Sequence, residues 1–592
     1  MTRHIRGELE PSHPIWNTSK TGDEKINLRE EHALGPVPLP GIWESRIAPF
    51  LEKYCLFLCI CLVGIACARI ISTYAALSLT SDEPIHFACG LEYVAKHVYR
   101  VETQHPPLSR VMQALGPYFF TGARPLEGNG VVEIARTGKV NLSIFLMRLG
   151  NLPFFLLACL VVGAWTWHSF GKATAVLAVG LFTLLPTELA DAGLATTDMA
   201  LGATLGAAFF TAILCGGRPT WLRALLLGLC TALACLSKFT TLGYLPTAVC
   251  LALAFYLIAC WPGWQGLSRL TMQRLAPLAL AGVVAAILIW AAYRFSFGSA
   301  IVHGRLVNLP APEFFDGIRT ALHHTRLGHG AYLLGEFRWK GWWYYFLVAL
   351  AVKTPIAFLI LSTLGIYVCL KERSRPMYLF PLALILGILL PAMKGHVDIG
   401  IRHIEPIYIG LAMVASIGLR QLLQWTRTGL TATLTGGLLV GWMVVSVAVY
   451  HPDYLAYFNE FAGNSPEKIL VDSNYDWGQD LKLLAARLHQ MNVREYSLAT
   501  YRSVDTKYFE TWYGLPPFKD VNNCTPAPGW NVIGSTIEKS LSYWPDIDSR
   551  FYRGPETSLK TWYDQIAPNE RVGGLLLYNI PSDSKLSGQN CH

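Results

Sequence analysis

The chain has 592 residues, of which 52% are hydrophobic and 15% are charged, and its mean hydropathy is +0.35. An ordinary soluble protein carries about 25% charged residues. This composition therefore excludes a soluble globular protein and indicates a membrane protein with many spans. The net charge of +8 comes from 48 Lys and Arg against 40 Asp and Glu. No basic cluster interleaved with aromatic residues accompanies it, which argues against a nucleic-acid partner.

Residues 1–53 contain several Pro, Gly and charged residues and little periodic apolar pattern. We interpret them as a cytoplasmic tail. Residues 54–79 then form the first long apolar run, which is long enough to cross a bilayer as a helix at about 1.5 Å per residue. Because this run begins too far into the chain and is too long for a secretory signal, we predict that it is a permanent anchor.

An acidic pair follows the first span directly. Asp82 and Glu83 precede Pro84, which lacks a backbone donor and pushes Glu83 out of the α region. The chain is therefore predicted to turn at the membrane surface. Ionisable groups near the membrane are costly to desolvate and usually face a polar cavity. The pair indicates a functional site, although helix capping by Ser81 and Asp82 explains its position equally well.

The outward segment 80–141 is predicted to contain two amphipathic helices. Apolar residues at 87, 91, 94 and 95 have the spacing of a helix with one apolar face. A second helix is predicted to begin near Pro107. Both helices are expected at the outer surface of the membrane, where they are either plain surface helices or the wall of a site.

Ten further apolar runs give eleven predicted spans in total. They lie at 142–166, 173–187, 199–214, 221–236, 241–260, 276–293, 343–369, 377–393, 403–419 and 430–450. Together with the first span they define a transmembrane domain over residues 54–450. Its second long outward loop, 294–342, is predicted to be a lid over a lipid substrate.

Short loops on one side of these spans are richer in Lys and Arg than those on the other. The first set contains Lys172, Arg218, Arg269, Arg274, Lys371, Arg373, Arg375, Arg420 and Arg427. The opposite set contains Lys238, Lys394 and Arg402. The positive-inside rule places the first set in the cytoplasm, and an odd number of spans then leaves the C-terminal part outside.

Residues 451–592 show no further apolar run and are predicted to form a small extracytoplasmic α/β domain. The predicted strands lie at 468–472, 495–501, 530–535 and 573–578, and an amphipathic helix is predicted at 478–490. A polar run in this part contains Asp472, Asn474, Asp476 and Asp480, without the Gly and Glu spacing of a calcium loop. We interpret the run as structural, with acceptor recognition as the alternative.

The 14 cysteines are not predicted to form a disulfide framework. Twelve precede residue 370, and nearly all of these lie in apolar runs, where a thiol behaves as a small hydrophobic group. Cys524 and Cys591 lie in the polar C-terminal part, so one disulfide there is expected if that part faces an oxidising compartment.

The predicted topology gathers ionisable residues at the outer ends of the spans. They are Asp82, Glu83, His86, His105, Glu188, Asp191, Asp198, Lys238, His303, Arg305, Lys394, Arg402 and His403. Acids and bases on one surface indicate an anionic substrate and a general base in one cavity. For any one of these residues, an interfacial charge that reaches water is an equal explanation.

Several motifs stand at or near these span ends, except that Lys353-Thr354-Pro355 lies inside the predicted span 343–369, so Lys353 either reaches the headgroup region or contradicts that boundary. Besides the acidic pair with His86 they are His105-Pro106-Pro107-Leu108, Arg148 at the start of the second span, Thr197-Asp198, Ser237-Lys238-Phe239-Thr240, Lys353-Thr354-Pro355 and Arg402-His403. Over about residues 54–500 the chain resembles the GT-C glycosyltransferases, in particular the branch of protein O-mannosyltransferases and aminoarabinose transferases. Segments 451–460 and 471–480 look like a bacterial subgroup that uses a lipid carrier.

The resemblance implies an inverting, membrane-bound glycosyltransferase of the GT-C fold. Such an enzyme moves one hexose or pentose from a polyprenyl phosphate to a glycan, lipid or protein acceptor on the outer face of the membrane. A bacterial inner membrane, with the N-terminus in the cytoplasm, is the expected location. No metal site is assigned, because His105 has no second ligand at zinc spacing, and a divalent metal stays open as a cofactor.

The resemblance also implies roles for individual residues. Asp82 is the expected general base, and Glu83 orients the acceptor or a neighbouring helix, with the reverse assignment as the alternative. Asp198 completes the acidic set, either by polarising the sugar or by holding a basic residue. The expected phosphate ligands are Arg148, Lys238, Lys353 and Arg402, and the other expected substrate contacts are His86, His105 and His403.

A competing interpretation is a polytopic transporter or flippase for a lipid-linked anion. It shares the spans and the basic residues, but transporters tend to have two related halves with interrupted helices, and no such repeat is visible here. A non-catalytic scaffold is a third interpretation, and the intact acidic pair argues against it.

Overall fold

The computed structural model describes residues 42–126, 128–302, 304–425, 430–500, 507–540 and 561–588. The predictions made for residues 1–41, His303, Arg427 and Cys591 therefore lie outside the described residues. Most of the described chain before residue 451 is helical, and the C-terminal region contains both helices and a five-stranded sheet.

The helical part begins with short helices and continues through long apolar ones. Its helices are α1 (Ala48–Lys53), α2 (Cys55–Ala76), α3 (Glu83–Lys96), α4 (Pro107–Phe120), α5 (Gly130–Arg136), α6 (Val140–Leu149), α7 (Leu152–Phe170), α8 (Lys172–Phe182), α9 (Pro186–Gly193), α10 (Asp198–Gly217), α11 (Trp221–Ser237), α12 (Thr241–Ala259), α13 (Gly263–Ala292), α14 (Pro312–Leu327), α15 (Tyr345–Lys353), α16 (Ile356–Lys371), α17 (Pro376–Lys394), α18 (Ile407–Trp425) and α19 (Leu430–Val449).

Within the described residues, eight helical segments are long and apolar enough to cross a membrane, and each coincides with a predicted span. The bent pairs α8–α9 and α15–α16 coincide with two more, which raises the number to ten. The remaining predicted span is α11, a shorter apolar helix of 17 residues. A polytopic helical membrane protein is therefore confirmed, with eight to ten candidate spans by this criterion instead of eleven.

Prolines cause both bends. α8 and α9 meet at 66° just before Pro186, and α15 and α16 meet at 117° around Pro355. A proline lacks the backbone donor and disfavours the α region for the residue before it, and Thr354 is extended accordingly. The predicted span over 343–369 is therefore interrupted, and Lys353 is the last residue of α15 before the break.

The end of the predicted tail is also helical. A short π-helical turn at Trp43–Ile47 leads into α1, and the Trp43 side chain is buried. Little structure was expected before residue 54, because this stretch has no long apolar pattern. Burial of one aromatic side chain against the bundle explains the difference.

The first outward segment contains α3, α4 and α5, of which the first two were predicted. α3 buries Phe87 and Leu91 as its pattern indicated. α3 and α4 pack closely at Gly90, where a Cβ atom would lie 1.9 Å from the Arg110 carbonyl oxygen. These helices are thus packed on protein over most of their length, not merely laid on a surface.

The second outward segment, predicted to be a lid, contains defined structure. Strands β1 (Phe297–Val302) and β2 (Arg305–Pro310) form an antiparallel hairpin, α14 follows, and β3 (Ala331–Leu333) pairs with β4 (Glu336–Arg338). β3 is buried and its hairpin contacts the C-terminal region, where the Leu334 amide donates to the Ile469 carbonyl.

The C-terminal region is a small α/β unit. It contains α20 (Leu481–Gln490), β5 (Tyr496–Ala499), α21 (Lys507–Tyr513), β6 (Phe518–Asp520), β7 (Gly529–Gly534), α22 (Ser535–Ser540), β8 (Glu570–Val572) and β9 (Leu575–Ile580). The strands form one mixed sheet in the order β6-β5-β7-β9-β8, in which β5 is parallel to β6 and β7, and β9 is antiparallel to β7 and β8.

Three of the four predicted strands correspond to β5, β7 and β9, and the predicted helix corresponds to α20. The predicted strand at 468–472 is wrong, because two 3-10 turns, Pro466–Lys468 and Asp472–Asn474, occupy this stretch. Its apolar residues Leu470 and Val471 are buried as single side chains in a turn-rich loop. Cys524 is disulfide-bonded, and the twelve earlier cysteines are free.

The C-terminal region joins the membrane part next to the end of α2. The Ser78 hydroxyl donates to the Gly478 carbonyl at 2.9 Å and accepts from the Leu481 amide at 3.0 Å. The Ser78 amide also donates to the Gln479 carbonyl at 3.0 Å. These contacts place loop 472–480 directly beside the acidic pair.

Candidate functional site

The predicted site residues fall into three groups. Asp82, Asp198, Lys238 and Arg402 contact one another, and we call them the open cluster. Glu83 and Arg148 form a second group, the sealed pair. Lys353 forms the third group by itself. The three histidines, His86, His105 and His403, lie close to the open cluster and are described with it.

The open cluster is centred on Arg402. Its Nη1 atom lies 2.9 Å from Oδ2 of Asp82 and 3.6 Å from Oδ2 of Asp198. Nζ of Lys238 donates to the other Asp198 oxygen at 2.5 Å. Two carboxylates and two cations therefore alternate in one chain of contacts.

Exposure differs sharply along this chain. The Asp82 side chain is 34% exposed and that of Arg402 is 9% exposed, whereas the Asp198 carboxylate is fully buried. Burial would lower the pKa of Arg402, but the carboxylates of Asp82 and Asp198 outweigh it and raise that pKa above its usual value. Arg402 is therefore a permanent cation whose most accessible neighbour is Asp82.

Backbone geometry brings these four residues together. Asp82 precedes α3 and Asp198 is the first residue of α10, both at helix N-termini that favour negative charge. Lys238 follows the last residue of α11, at a helix C-terminus that favours a cation. Arg402 lies in a 3-10 turn, Ile401–Ile404, between α17 and α18.

Two groups of the open cluster keep hydrogen-bonding capacity within the described residues. Oδ2 of Asp198 is buried and accepts no hydrogen bond there, although it forms an ion pair with Nη1 of Arg402 at 3.6 Å. The hydrogen bonds of Arg402 in the same part of the chain come from Nε and Nη1, and none comes from Nη2. A buried oxygen that lacks a hydrogen bond costs about 1–3 kcal/mol, so both groups are suited to a substrate.

The sealed pair is fully buried. Nε and Nη2 of Arg148 each lie 2.8 Å from one oxygen of Glu83, and the Thr80 and Ala195 amides also donate to this carboxylate. Burial alone would raise the pKa of Glu83, but Arg148 and the two amides hold that pKa below its usual value.

Arg148 has no donor left for a substrate. Besides Glu83, it donates to the carbonyl oxygens of Tyr74, Leu77 and Ser78. These bonds use all five N–H groups of the guanidinium. The expectation that Arg148 binds the carrier phosphate stays a prediction, and it requires that one of these bonds be exchanged. Through Arg148, Glu83 is bonded to the end of α2, as the helix-orienting alternative expects.

His86 is buried on α3 and is oriented by an arginine. Nε of Arg110 donates to its Nδ1 at 3.0 Å, so the neutral ring carries its proton on Nε2. Burial and then the Arg110 cation hold the pKa of His86 well below its usual value. The ring lies within electrostatic reach of Asp198, Lys238 and Arg402, so His86 is a neutral hydrogen-bond donor beside the open cluster.

The other two histidines are also held neutral. Burial, followed by neighbouring cations, lowers the pKa of His105 and of His403 well below the usual value. His105 packs edge-on against His86 at 5.4 Å between ring centroids. Within the described residues, Nδ1 of His105 and Nε2 of His403 are buried without a hydrogen-bond partner.

Lys353 is buried away from the open cluster. Its Nζ donates to the carbonyl oxygens of Leu455, Tyr457 and Asn474 at 2.5–2.8 Å. These three bonds satisfy the ammonium group completely. Lys353 therefore fastens the break between α15 and α16 to the chain after α19. Its expected role as a phosphate ligand stays a prediction, and it requires that one of these bonds be exchanged.

Three residues near the site were missed in the sequence. Arg110 bonds His86, Tyr99 and Glu102, and Ser473 and Trp477 contact Arg402. Arg110 carries a signal that could have found it, since it is a charge within the otherwise apolar start of α4. Ser473 and Trp477 lie in the polar run already noted, but their contact with Arg402 spans about seventy residues and leaves no local pattern.

Among the described residues, no group of three or more His, Cys, Asp or Glu side chains is arranged to hold a metal ion. The carboxylates of the open cluster contact cations instead. We therefore assign no metal ligand.

A scan against protein-family models and a search of curated proteins find no match. Among solved structures, ArnT from Cupriavidus metallidurans is similar over 88% of this chain and 97% of its own, with 12% identity and a TM-score of 0.45 in its apo state. Its structure bound to undecaprenyl phosphate gives 14% identity and a TM-score of 0.47 over the same shares.

The oligosaccharyltransferase of Archaeoglobus fulgidus is similar over 82% of this chain and 62% of its own, with 14% identity and a TM-score of 0.44. ArnT and this oligosaccharyltransferase are both GT-C glycosyltransferases, the superfamily that the sequence motifs resemble. Because these TM-scores are below 0.5, the likeness assigns no residue and no substrate to this chain.

Proposed function

We propose that this chain is an inverting, membrane-bound glycosyltransferase of the GT-C type, which moves a single sugar from a polyprenyl-phosphate carrier to an acceptor. The observation that carries the proposal is the 2.9 Å contact between Asp82 and Arg402. It joins a partly exposed carboxylate to a buried cation that has an unused edge. A base for the acceptor and a cation for the leaving phosphate are the two groups that this reaction needs.

In the proposed reaction the acceptor hydroxyl or amine attacks the anomeric carbon of the donor sugar. The bond between that carbon and the phosphate oxygen breaks on the opposite face, which inverts the configuration. The acceptor proton passes to Asp82, and the phosphate leaves on its lipid with the bonding electron pair. Nη2 of Arg402 is the group available to bind this phosphate, because Nη1 already contacts Asp82.

Asp198 and Lys238 extend the cationic side of the site. Asp198 neutralises Lys238 and contributes to holding Arg402, which keeps two buried cations next to each other. Its Oδ2 atom, which accepts no hydrogen bond within the described residues, is an acceptor for a hydroxyl group of the donor sugar. Lys238 is the second candidate ligand for the phosphate, since an ammonium has three donors and Asp198 uses one.

The three histidines serve this site as neutral groups. His86 offers an Nε2 proton, and the unpaired ring nitrogens of His105 and His403 offer further hydrogen bonds. Glu83, Arg148 and Lys353 are supporting residues in this proposal, because their polar atoms are bonded within the protein.

We also propose a bacterial inner-membrane location with the tail in the cytoplasm and the C-terminal region outside. The basic loops at the opposite ends of the helices support this orientation. The acceptor is then a glycan, lipid or protein of the cell envelope, and the donor arrives within the bilayer.

The test is reconstitution of the purified chain in liposomes with a labelled polyprenyl-phosphate sugar and with envelope extract as acceptor. If the chain transfers the sugar, a new glycoside and free polyprenyl phosphate are expected in equal amounts. A transporter or flippase would instead move the intact donor across the bilayer and leave its sugar bond unbroken. Mass spectrometry of the lipid and acceptor fractions distinguishes these outcomes, and movement without bond cleavage would overturn the proposal.

A further inference from the structure

Loop 472–480 of the C-terminal region reaches the open cluster from the side opposite the membrane helices. The guanidinium carbon of Arg402 lies 4.0 Å from the ring centroid of Trp477, which is 1% exposed. At this distance a guanidinium and an aromatic face attract each other, most strongly when both are shielded from water. The indole ring therefore covers one face of the Arg402 guanidinium.

Trp477 also contacts the other side of the Asp82–Arg402 pair. Its carbonyl oxygen accepts a hydrogen bond from the Ser81 amide at 3.0 Å, one residue before Asp82. Its own amide donates to the side chain of Gln479 at 2.9 Å, which fixes the loop. Trp477 thus contacts Arg402 through its ring and holds the backbone next to Asp82 through its carbonyl oxygen.

Ser473 fixes the in-plane orientation of Arg402. Its hydroxyl accepts from Nε of Arg402 at 3.0 Å and donates to the Ile399 carbonyl at 2.7 Å. The approach requires Gly400, because a Cβ atom there would lie 2.2 Å from the Ser473 oxygen. Asn474 completes the contact by accepting from the Ile401 amide at 2.9 Å.

Within the described residues, these contacts leave Nη2 of the Arg402 guanidinium without a hydrogen bond. Nε is taken by Ser473, Nη1 by Asp82, and one face by Trp477. We infer that Trp477 and Ser473 are positioning residues for Arg402, so that the C-terminal region completes the phosphate-binding edge of the membrane domain. This inference rests on the proposed function only for the identity of the phosphate as that of a lipid carrier.

The test uses the full chain in nanodiscs and measures affinity for a polyprenyl phosphate and for the polyprenol of the same length. Trp477→Leu and Ser473→Ala are each expected to weaken phosphate binding about tenfold or more, with little change for the alcohol. Trp477→Phe keeps an aromatic face and should stay within about threefold of the natural chain. Trp562→Leu, at a second buried tryptophan of the C-terminal region that does not contact Arg402, is the matched control.

A double-mutant cycle with Arg402→Met separates positioning from general damage. If Trp477 acts through Arg402, Trp477→Leu has no further effect on phosphate affinity in that background. An equal loss for phosphate and alcohol, a loss that persists with Arg402→Met, or the same loss with Trp562→Leu would overturn the inference. If Trp477→Leu does not fold, Ser473→Ala replaces it in the cycle. This variant removes one oxygen, and its effect on phosphate affinity should likewise disappear with Arg402→Met.

The readout is independent of sugar transfer. If the chain transfers no sugar but phosphate affinity still depends on Trp477 through Arg402, the proposed function fails and the inference stands. If transfer occurs and phosphate affinity does not depend on Trp477, the inference alone fails.

Discussion

Asp82 and Glu83 are adjacent carboxylates with opposite surroundings. Each contacts an arginine at about the same distance, 2.9 Å for Asp82 and 2.8 Å for Glu83. The Glu83–Arg148 pair is fully buried and uses all its donors, whereas the Asp82 side chain is 34% exposed and Arg402 keeps Nη2 unused. An ion pair near a site is therefore a candidate for catalysis or substrate binding only when some of its hydrogen-bond donors or acceptors are unused.

The backbone explains why neighbours in the sequence diverge. Asp82 precedes the first turn of α3 and contacts Arg402, while Glu83 begins the helix and accepts from Thr80 and Ala195. Glu83 therefore ties together the end of α2, the start of α3 and the segment just before α10. Asp82 takes no part in these ties, so its partner can change without loss of them.

The largest expected effect is on the rate after Asp82→Asn. Removal of a general base lowers turnover by about 10²–10⁴-fold, and the exposed position should leave stability nearly unchanged. Initial rates of glycoside formation measure the effect. Asp316→Asn is the matched control, because Asp316 on α14 is 37% exposed and pairs only with an exposed arginine. A tenfold or smaller loss of rate with Asp82→Asn would remove Asp82 as the base.

For Glu83→Gln we expect a large loss of stability, where Asp82→Asn is expected to lose rate but little stability. Breaking a buried ion pair leaves Arg148 uncompensated, which costs about 3–5 kcal/mol of stability. The yield of folded protein and its thermal unfolding in detergent measure this change, with Asp82→Asn as the control at the neighbouring position. If Glu83→Gln kept its stability but lost activity, Glu83 would be the general base and the comparison would be inverted.

A smaller effect is expected from Arg402→Lys. Lysine keeps the charge but cannot contact Asp82, Ser473 and a phosphate at once with a planar fork. The KM for the carrier should rise by about 10–100-fold with a smaller change in kcat, since one charge-assisted bond is lost. Steady-state kinetics with varied carrier test this. Arg294→Lys at the exposed end of α13 serves as the control and should leave the KM unchanged.

The smallest effect concerns pH. Burial and the Arg110 cation hold the pKa of His86 well below its usual value, so the ring stays neutral between pH 6 and 8. Arg110→Gln removes the cation but keeps the burial, so that pKa rises and protonation begins at a higher pH than in the natural chain. The ratio of kcat/KM at pH 6 to that at pH 8 should fall by about two- to fivefold.

His86→Gln in the Arg110→Gln background is the control for this prediction, because it removes the titrating ring and should abolish the added pH dependence. The same dependence in both variants would mean that another group titrates.

Much of the architecture could be predicted from local patterns. A span of apolar residues must be helical in a bilayer because the backbone has no other partner there, so the predicted spans correspond to helices. The wrong strand at 468–472 shows the limit, since strand formation there would need a neighbouring strand that only the folded chain could provide.

The candidate site was predicted less completely. Its outer-face position and the members Asp82, Asp198, Lys238 and Arg402 were expected from motifs at span ends. Arg148 and Lys353 carry the same charge as Lys238 and Arg402 and also lie in or near predicted spans. In the structure, however, both donate to backbone carbonyl oxygens. Nothing in a linear pattern separates a basic side chain that a substrate can reach from one whose donors are all used.

The class of molecule and the positions of most helices follow from the sequence alone, because hydrophobicity and proline act locally. Tertiary structure alone decided which of two adjacent acids is accessible, and it placed Trp477 and Ser473 around Arg402. Such contacts join residues about seventy or more positions apart, and their energies depend on burial and on competing partners that exist only after the chain has folded.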